Sequence, residues 1–223
     1  MQQMSKFRLI HLIIIPTLIL LCGYAMLWAF HHVLPQPPQH TEIFILLLIY
    51  LILIITTAIT YSTVNLLSLH KYIGLSSVQI KYILISFLIA IIIWAIDYFL
   101  QVYVFQIDIA TLAAQWYAKN NHSKLIFIFV SSVLFAPLIE EMLFRGVFLQ
   151  AFNRYLNTFW SAVVLSGLFA LIHFDLTQSV SLFIAALMYT WLTYQSKSII
   201  PAICAHIINN LLTFVYYLDL VAL

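Results

Sequence analysis

Between Leu9 and Phe30 no residue carries a formal charge, and the same is true from Ile43 to Leu67. From Tyr82 to Phe105 Asp97 is the one exception. A helix needs about 20 apolar residues to cross the hydrocarbon core of a bilayer, so each of these runs reads as a membrane span. A fourth covers about Leu125–Phe152, and three shorter ones come after it at about Phe159–Phe174, Ser179–Tyr194 and Ile199–Leu218. The chain is 65% hydrophobic and 7% charged, where an ordinary soluble domain is about 25% charged. That much apolar surface exceeds what one soluble core of 223 residues conceals. The expected fold is therefore an all-α, polytopic membrane helix bundle of about seven transmembrane helices. It forms a single integral membrane domain over residues 1–223, with lipid as its main surroundings.

The flanks of the runs add orientation. Lys6 and Arg8 precede the first run, which lacks a small-x-small cleavage site and so reads as an uncleaved helix. Lys71 and Lys81, then Arg154, then Lys197 mark alternate sides, and the positive-inside rule places the N-terminus in the cytoplasm. Lys119 and Lys124 run against that pattern. They lie in the polar stretch Gln106–Lys124, expected as a loop holding a short interfacial helix at Ala110–Trp116. Pro35–Gln39 is a stiff connector, while Pro16 and Pro137 are expected kinks. Cys22 and Cys204 sit in apolar runs as small hydrophobes. The net charge of +2 gives no footprint for nucleic acid. Trp28, Trp116, Trp160 and Tyr216 fit an interfacial aromatic belt. Asp97 is expected to be solvated near the outer interface, and Asp175 to sit in a turn. His31, His32, His40 and His122 fall in or beside outer loops.

Against this background the fourth run is anomalous, because Glu140, Glu141 and Arg145 lie inside it. One charge at the centre of a membrane helix costs at least about 2.5 kcal/mol, so three in close succession need a reason. Glu141 and Arg145 are spaced i, i+4 in the order that favours an ion pair. Glu140 is turned about 100° away and its own i+4 neighbour is Phe144, which leaves it as a candidate general base. His173 on the fifth run and His206 with Asn210 on the seventh are further rare polar groups. Counting about 1.5 Å per residue from the cytoplasmic ends puts Glu140 about 18 Å deep, His173 about 21 Å, His206 about 10 Å and Asn210 about 17 Å. Those depths fall within about two turns of one another and predict one site on helices 4, 5 and 7. His206 and Asn210 share a face and are suitable oxyanion donors. His173 is free to hold a water, with Phe169 one turn before it.

Three motifs now stand in order over about the last 90 residues: Glu140-Glu141-Met-Leu-Phe-Arg145, Phe169-Ala-Leu-Ile-His173 and His206-Ile-Ile-Asn-Asn210. They resemble the EExxxR, FxxxH and HxxxN motifs of the CPBP intramembrane proteases, which include CAAX-processing enzymes and bacteriocin-immunity proteins. The catalytic-motif half would be about 125–218. The resemblance implies a glutamic endopeptidase in which Glu140 activates water and His173 assists. His206 and Asn210 would stabilise the tetrahedral intermediate, with Glu141, Arg145 and Phe169 in support. No cofactor is expected. Two histidines and a carboxylate also suffice for a catalytic zinc, so a zinc-dependent form stays open, although an H-E-x-x-H helix is lacking. Eukaryotic relatives cleave prenylated proteins; the short loops here read as bacterial, with a peptide or membrane-tethered protein as substrate and the inner membrane as location. The competing readings are a non-catalytic immunity protein against a peptide toxin and a proton-coupled transporter. The transporter predicts an inverted repeat, and the sequence shows none.

Overall fold

The computed structural model describes residues 74–173 and 175–222. The chain divides into two compact units, Met1–Tyr72 and Ile73–Leu223, and the described helices all belong to the second. The first two expected spans, Pro16, the Pro35–Gln39 connector, Cys22, Trp28 and the histidines at 31, 32 and 40 lie outside the described residues. So does Phe174, the last residue of the fifth run.

The described residues are helical, with no strand among them. Helix α1 spans Ile80–Phe99 and continues as a π-helical segment over Leu100–Val104. Helix α2 begins at Ile109, where the Asp108 carboxylate caps it by accepting from the amides of Ala110 and Thr111 at 3.1 and 3.2 Å. The cap makes this polar stretch helical. The expected loop and interfacial helix are instead the opening turns of a helix that includes His122 and runs on to Ile128. Without a break in helical backbone, α2 passes into a π segment (Phe129–Phe135), α3 (Ala136–Glu141), a second π segment (Met142–Phe148) and α4 (Leu149–Phe152). Pro137 lies in the first turn of α3. A proline removes one backbone donor, and the expected kink takes the form of a widened turn placed just before it.

Helix α5 spans Thr158–Leu171, with the Asn157 side chain accepting from the Trp160 amide at 2.9 Å as its cap. Asp175 orders the next turn, its Oδ1 accepting from the amides of Thr177 and Gln178 and from the Thr177 hydroxyl. Those bonds, the hydroxyl foremost, hold its carboxyl below the ordinary range. Helix α6 spans Ser179–Ser196 and stops at Lys197, which adopts the left-handed conformation with φ +56°. Helix α7 spans Ile200–Ala222, with Pro201 in its first turn where no helical donor is lost.

Among the described residues, two stretches are long and apolar enough to cross a membrane, Ile80–Val104 and Ile200–Val221. They pack on each other through small side chains. Ser86 is fully buried and its hydroxyl lies 2.8 Å from the Pro201 carbonyl, while Ile89 and Ile93 meet Ala185, Tyr189, Ala202 and Ala205. Small residues let helix backbones approach where lipid provides no hydrophobic drive between them. Helix α5 has 14 residues, about 21 Å at a rise of 1.5 Å per residue. It falls short of the hydrocarbon core on its own.

Candidate active site

The two wide segments bracket the acidic pair. In a π-helical turn successive side chains advance by less than in an α-helix, and such segments are frequent at functional sites. They set the face that Glu140, Glu141 and Arg145 present to α6 and α7. All three are buried: Glu140 is 8% exposed, Glu141 0% and Arg145 1%.

Arg145 Nη1 donates to Glu141 Oε1 at 2.9 Å. Its Nη2 donates to the Ala186 carbonyl at 2.8 Å, and its Nε lies 3.4 Å from the Thr190 hydroxyl. The guanidinium carbon is 4.9 Å from the centroid of the Phe169 ring and 5.5 Å from that of Tyr189. A buried cation is tolerable in such a setting, since its nitrogens meet acceptors and the ring faces carry negative potential. Thr190 also donates to Ala186 O at 2.8 Å, so α6 presents a fixed acceptor to the arginine.

His206, 7% exposed, approaches from α7 and touches both glutamates. Its Nδ1 donates to Glu141 Oε1 at 2.9 Å, and its Nε2 lies 3.9 Å from Glu140 Oε2. The Tyr189 ring stacks on the imidazole at 4.9 Å and 21°. Glu141 is thus the junction of the network, one oxygen holding both Arg145 and His206. Spacing along the chain pairs Glu141 with Arg145 alone; the histidine contact depends on how α3 and α7 are rotated against each other and has no signature in sequence. Tyr189, Thr190 and the Ala186 carbonyl also escape a reading of the sequence. The one trace they leave there is a pair of polar residues side by side in the apolar run Ser179–Tyr194.

Asn210 lies one turn beyond His206 and donates from Nδ2 to the Ser132 carbonyl, in the first π segment, at 2.9 Å. That bond fixes one amide proton and leaves the other available. His173 is expected within the fifth helix, but α5 ends at Leu171 and His173 sits exposed in the turn after it. Its Nδ1 donates to the Phe169 carbonyl at 2.7 Å, which leaves Nε2 as an acceptor. The Phe169 ring lies 4.9 Å from the imidazole. Phe169 therefore touches His173, Arg145 and, at 5.9 Å, the His206 ring. The structure brings Glu140, Glu141, Arg145, Phe169 and His206 into one buried cluster, with His173 and Asn210 at its margins. Among the described residues no group of three His, Cys, Asp or Glu side chains is arranged to hold a metal ion.

Asp97 differs from expectation. It is half-buried, its Oδ2 accepts from Gln101 Nε2 at 2.7 Å, and it lines a cavity rather than the outer surface alone. The i, i+4 spacing of two polar residues in an otherwise apolar run is the available signal.

No curated protein and no solved structure was found to match the chain. A family model does. Residues 121–212, the stretch that holds all three motifs and the cluster around Glu141, match the model of the Rce1-like family, described as type II CAAX prenyl endopeptidase Rce1-like.

Proposed function

We propose that this protein is an intramembrane endopeptidase that hydrolyses a peptide bond in a membrane-associated peptide or protein by means of a glutamate-activated water. The observation that carries the reading is the His206 ring set between two carboxylates, Nδ1 on Glu141 at 2.9 Å and Nε2 at 3.9 Å from Glu140. A water hydrogen-bonded to Glu140 Oε2 and within reach of Nε2 fits that gap, for two contacts of about 2.8 Å across it subtend about 90° at the oxygen.

In the first step the water gives a proton to the Glu140 carboxylate while its oxygen bonds to the substrate carbonyl carbon. The carbonyl pair moves to oxygen and forms an oxyanion. Asn210, aimed by its bond to Ser132 O, donates its second amide proton to that oxyanion. His206 donates from Nε2; with both ring nitrogens protonated, Glu140, Glu141, Arg145 and His206 sum to zero charge. In the second step the oxyanion pair re-forms the carbonyl, the C–N bond breaks, and Glu140 returns its proton to the leaving nitrogen. His173, through Nε2, orients the water at the open side of the site. Glu141 and Arg145 position His206. The motif spacing and the family match support these assignments, and the cytoplasmic N-terminus and bacterial inner membrane complete the proposal.

The test is mapping of new N- and C-termini in host membrane proteins incubated with purified wild type or Glu140→Gln, with and without a chelator. Termini that require Glu140 and survive the chelator are the expected result. Chelator-sensitive cleavage would move the reading to a zinc-dependent protease. A folded wild type that yields no Glu140-dependent termini would overturn it in favour of a non-catalytic immunity protein.

A further inference from the structure

Beside the cluster, helices α1, α2, α6 and α7 enclose a cavity of about 350 Å³, at the small end of the range of about 300–1,000 Å³ for ligand pockets. It borders the site along Ser132 and Asn210, which are hydrogen-bonded to each other and both line it. Whatever occupies it lies next to the proposed oxyanion donor.

Its lining is asymmetric in charge. Asp97 is there, and among the described residues no Lys, Arg or His lines it. The bond from Gln101 satisfies one lone pair of Asp97 but, being neutral, supplies no counter-charge. Intramembrane carboxylates as a rule face a partner, a water-filled cavity or a substrate path. Asn209 lines the same wall, and its Oδ1 accepts no hydrogen bond. Turning that oxygen toward the cavity therefore gives up no bond made by that atom. The rest of the lining mixes apolar and aromatic side chains, Ile93, Leu182, Trp116 and Phe214, with the polar Gln178, Ser181, Thr213 and Tyr217. A carboxylate and neutral acceptors among apolar and aromatic side chains suit a side chain with a methylene stem and a cationic head.

We propose that this cavity is a specificity subsite that takes a lysine or arginine side chain of the substrate peptide, next to the scissile bond, with Asp97 as its counter-charge. The inference rests on the endopeptidase reading and adds a substrate preference to it.

The probes are fluorescein-labelled nonapeptides of one neutral sequence in which Lys, Gln or Glu is scanned through each position. Binding is measured on the reconstituted full-length Glu140→Gln protein, and cleavage on the wild type. At one position Lys should bind about tenfold more tightly than Gln, and Glu more weakly still. Asp97→Asn should erase the difference between Lys and Gln. Asp97→Lys should reverse the order in favour of Glu. A wild type equally receptive to Lys and Gln at every position would overturn the subsite whether or not either variant folds. So would an Asp97→Asn protein with the order intact. Charge-blind cleavage that still needs Glu140 removes the subsite and keeps the endopeptidase. Charge-selective, Asp97-dependent binding without any Glu140-dependent cleavage removes the endopeptidase and keeps a cation-binding cavity.

Discussion

Replacing Arg145 by leucine leaves Glu141 buried at 0% exposure with one of its two donors gone. Breaking a buried pair costs about 3–5 kcal/mol when the orphaned charge has to be kept. That figure includes the lost contacts to Ala186 O and to the Phe169 and Tyr189 rings, about 1–2 kcal/mol of it. The expected deficit of Arg145→Leu against wild type is thus about 3–5 kcal/mol. Adding Glu141→Gln removes the orphaned charge, so the double variant should lose less than the sum of the two single losses. Equilibrium unfolding in mixed micelles, on wild type, both singles and the double, measures all the terms. A loss below about 1 kcal/mol for Arg145→Leu, or strict additivity of the two substitutions, would refute the junction assigned to Glu141.

Asn210→Ala should lower kcat by about 100- to 1,000-fold with little change in KM, as removal of an oxyanion donor does elsewhere; an equal rise in KM with kcat intact would point to a binding role instead. Tyr189→Phe should be neutral or stabilising by up to about 1 kcal/mol, because the Tyr189 hydroxyl is buried without a hydrogen-bond partner among the described residues, and the same unfolding assay reads it. Asp175→Ala should cost about 0.5–1 kcal/mol by loosening the turn before α6. The Asp175 carboxyl is held below its ordinary range, so that contribution is present above about pH 4 and is lost as the pH falls through its folded value. An effect of Asp175→Ala that grew on acidification would refute the assignment.

What is legible in the sequence is whatever depends on spacing within one helix. The Glu141–Arg145 pair follows from i, i+4 geometry, and the packing of Phe169 on His173 from proximity along the chain. The third and seventh runs emerge as the apolar stretches Ile80–Val104 and Ile200–Val221. The bond of His206 to Glu141 instead requires knowing how two helices are turned, and Asn210 finds its partner in a backbone carbonyl, an acceptor that every residue has. The position of His173 past the end of α5 is hidden because an apolar run continues through the turn. The polar stretch after Gln106 misleads for the opposite reason: polarity suggests a loop, and the Asp108 cap overrides it. Nothing but Pro137 hints at the π segments on either side of α3.

Those wide turns bear on how this gene tolerates changes in length. Relative to an α-helix of the same rise, a π segment contains one surplus residue. Deleting a residue from Phe129–Phe135 can therefore be absorbed by conversion to ordinary helix, with the rod kept continuous, whereas the same deletion inside α3 moves Glu140 and Glu141 out of register with α7. Ser132 would shift with the first deletion, and with it the anchor of Asn210. Variants shortened there should keep their fold and lose their alignment, and a second residue removed from Met142–Phe148 would slide Arg145 away from Glu141. Indels along this one helix are thus a ruler for separating assembly of the bundle from assembly of the proposed catalytic groups.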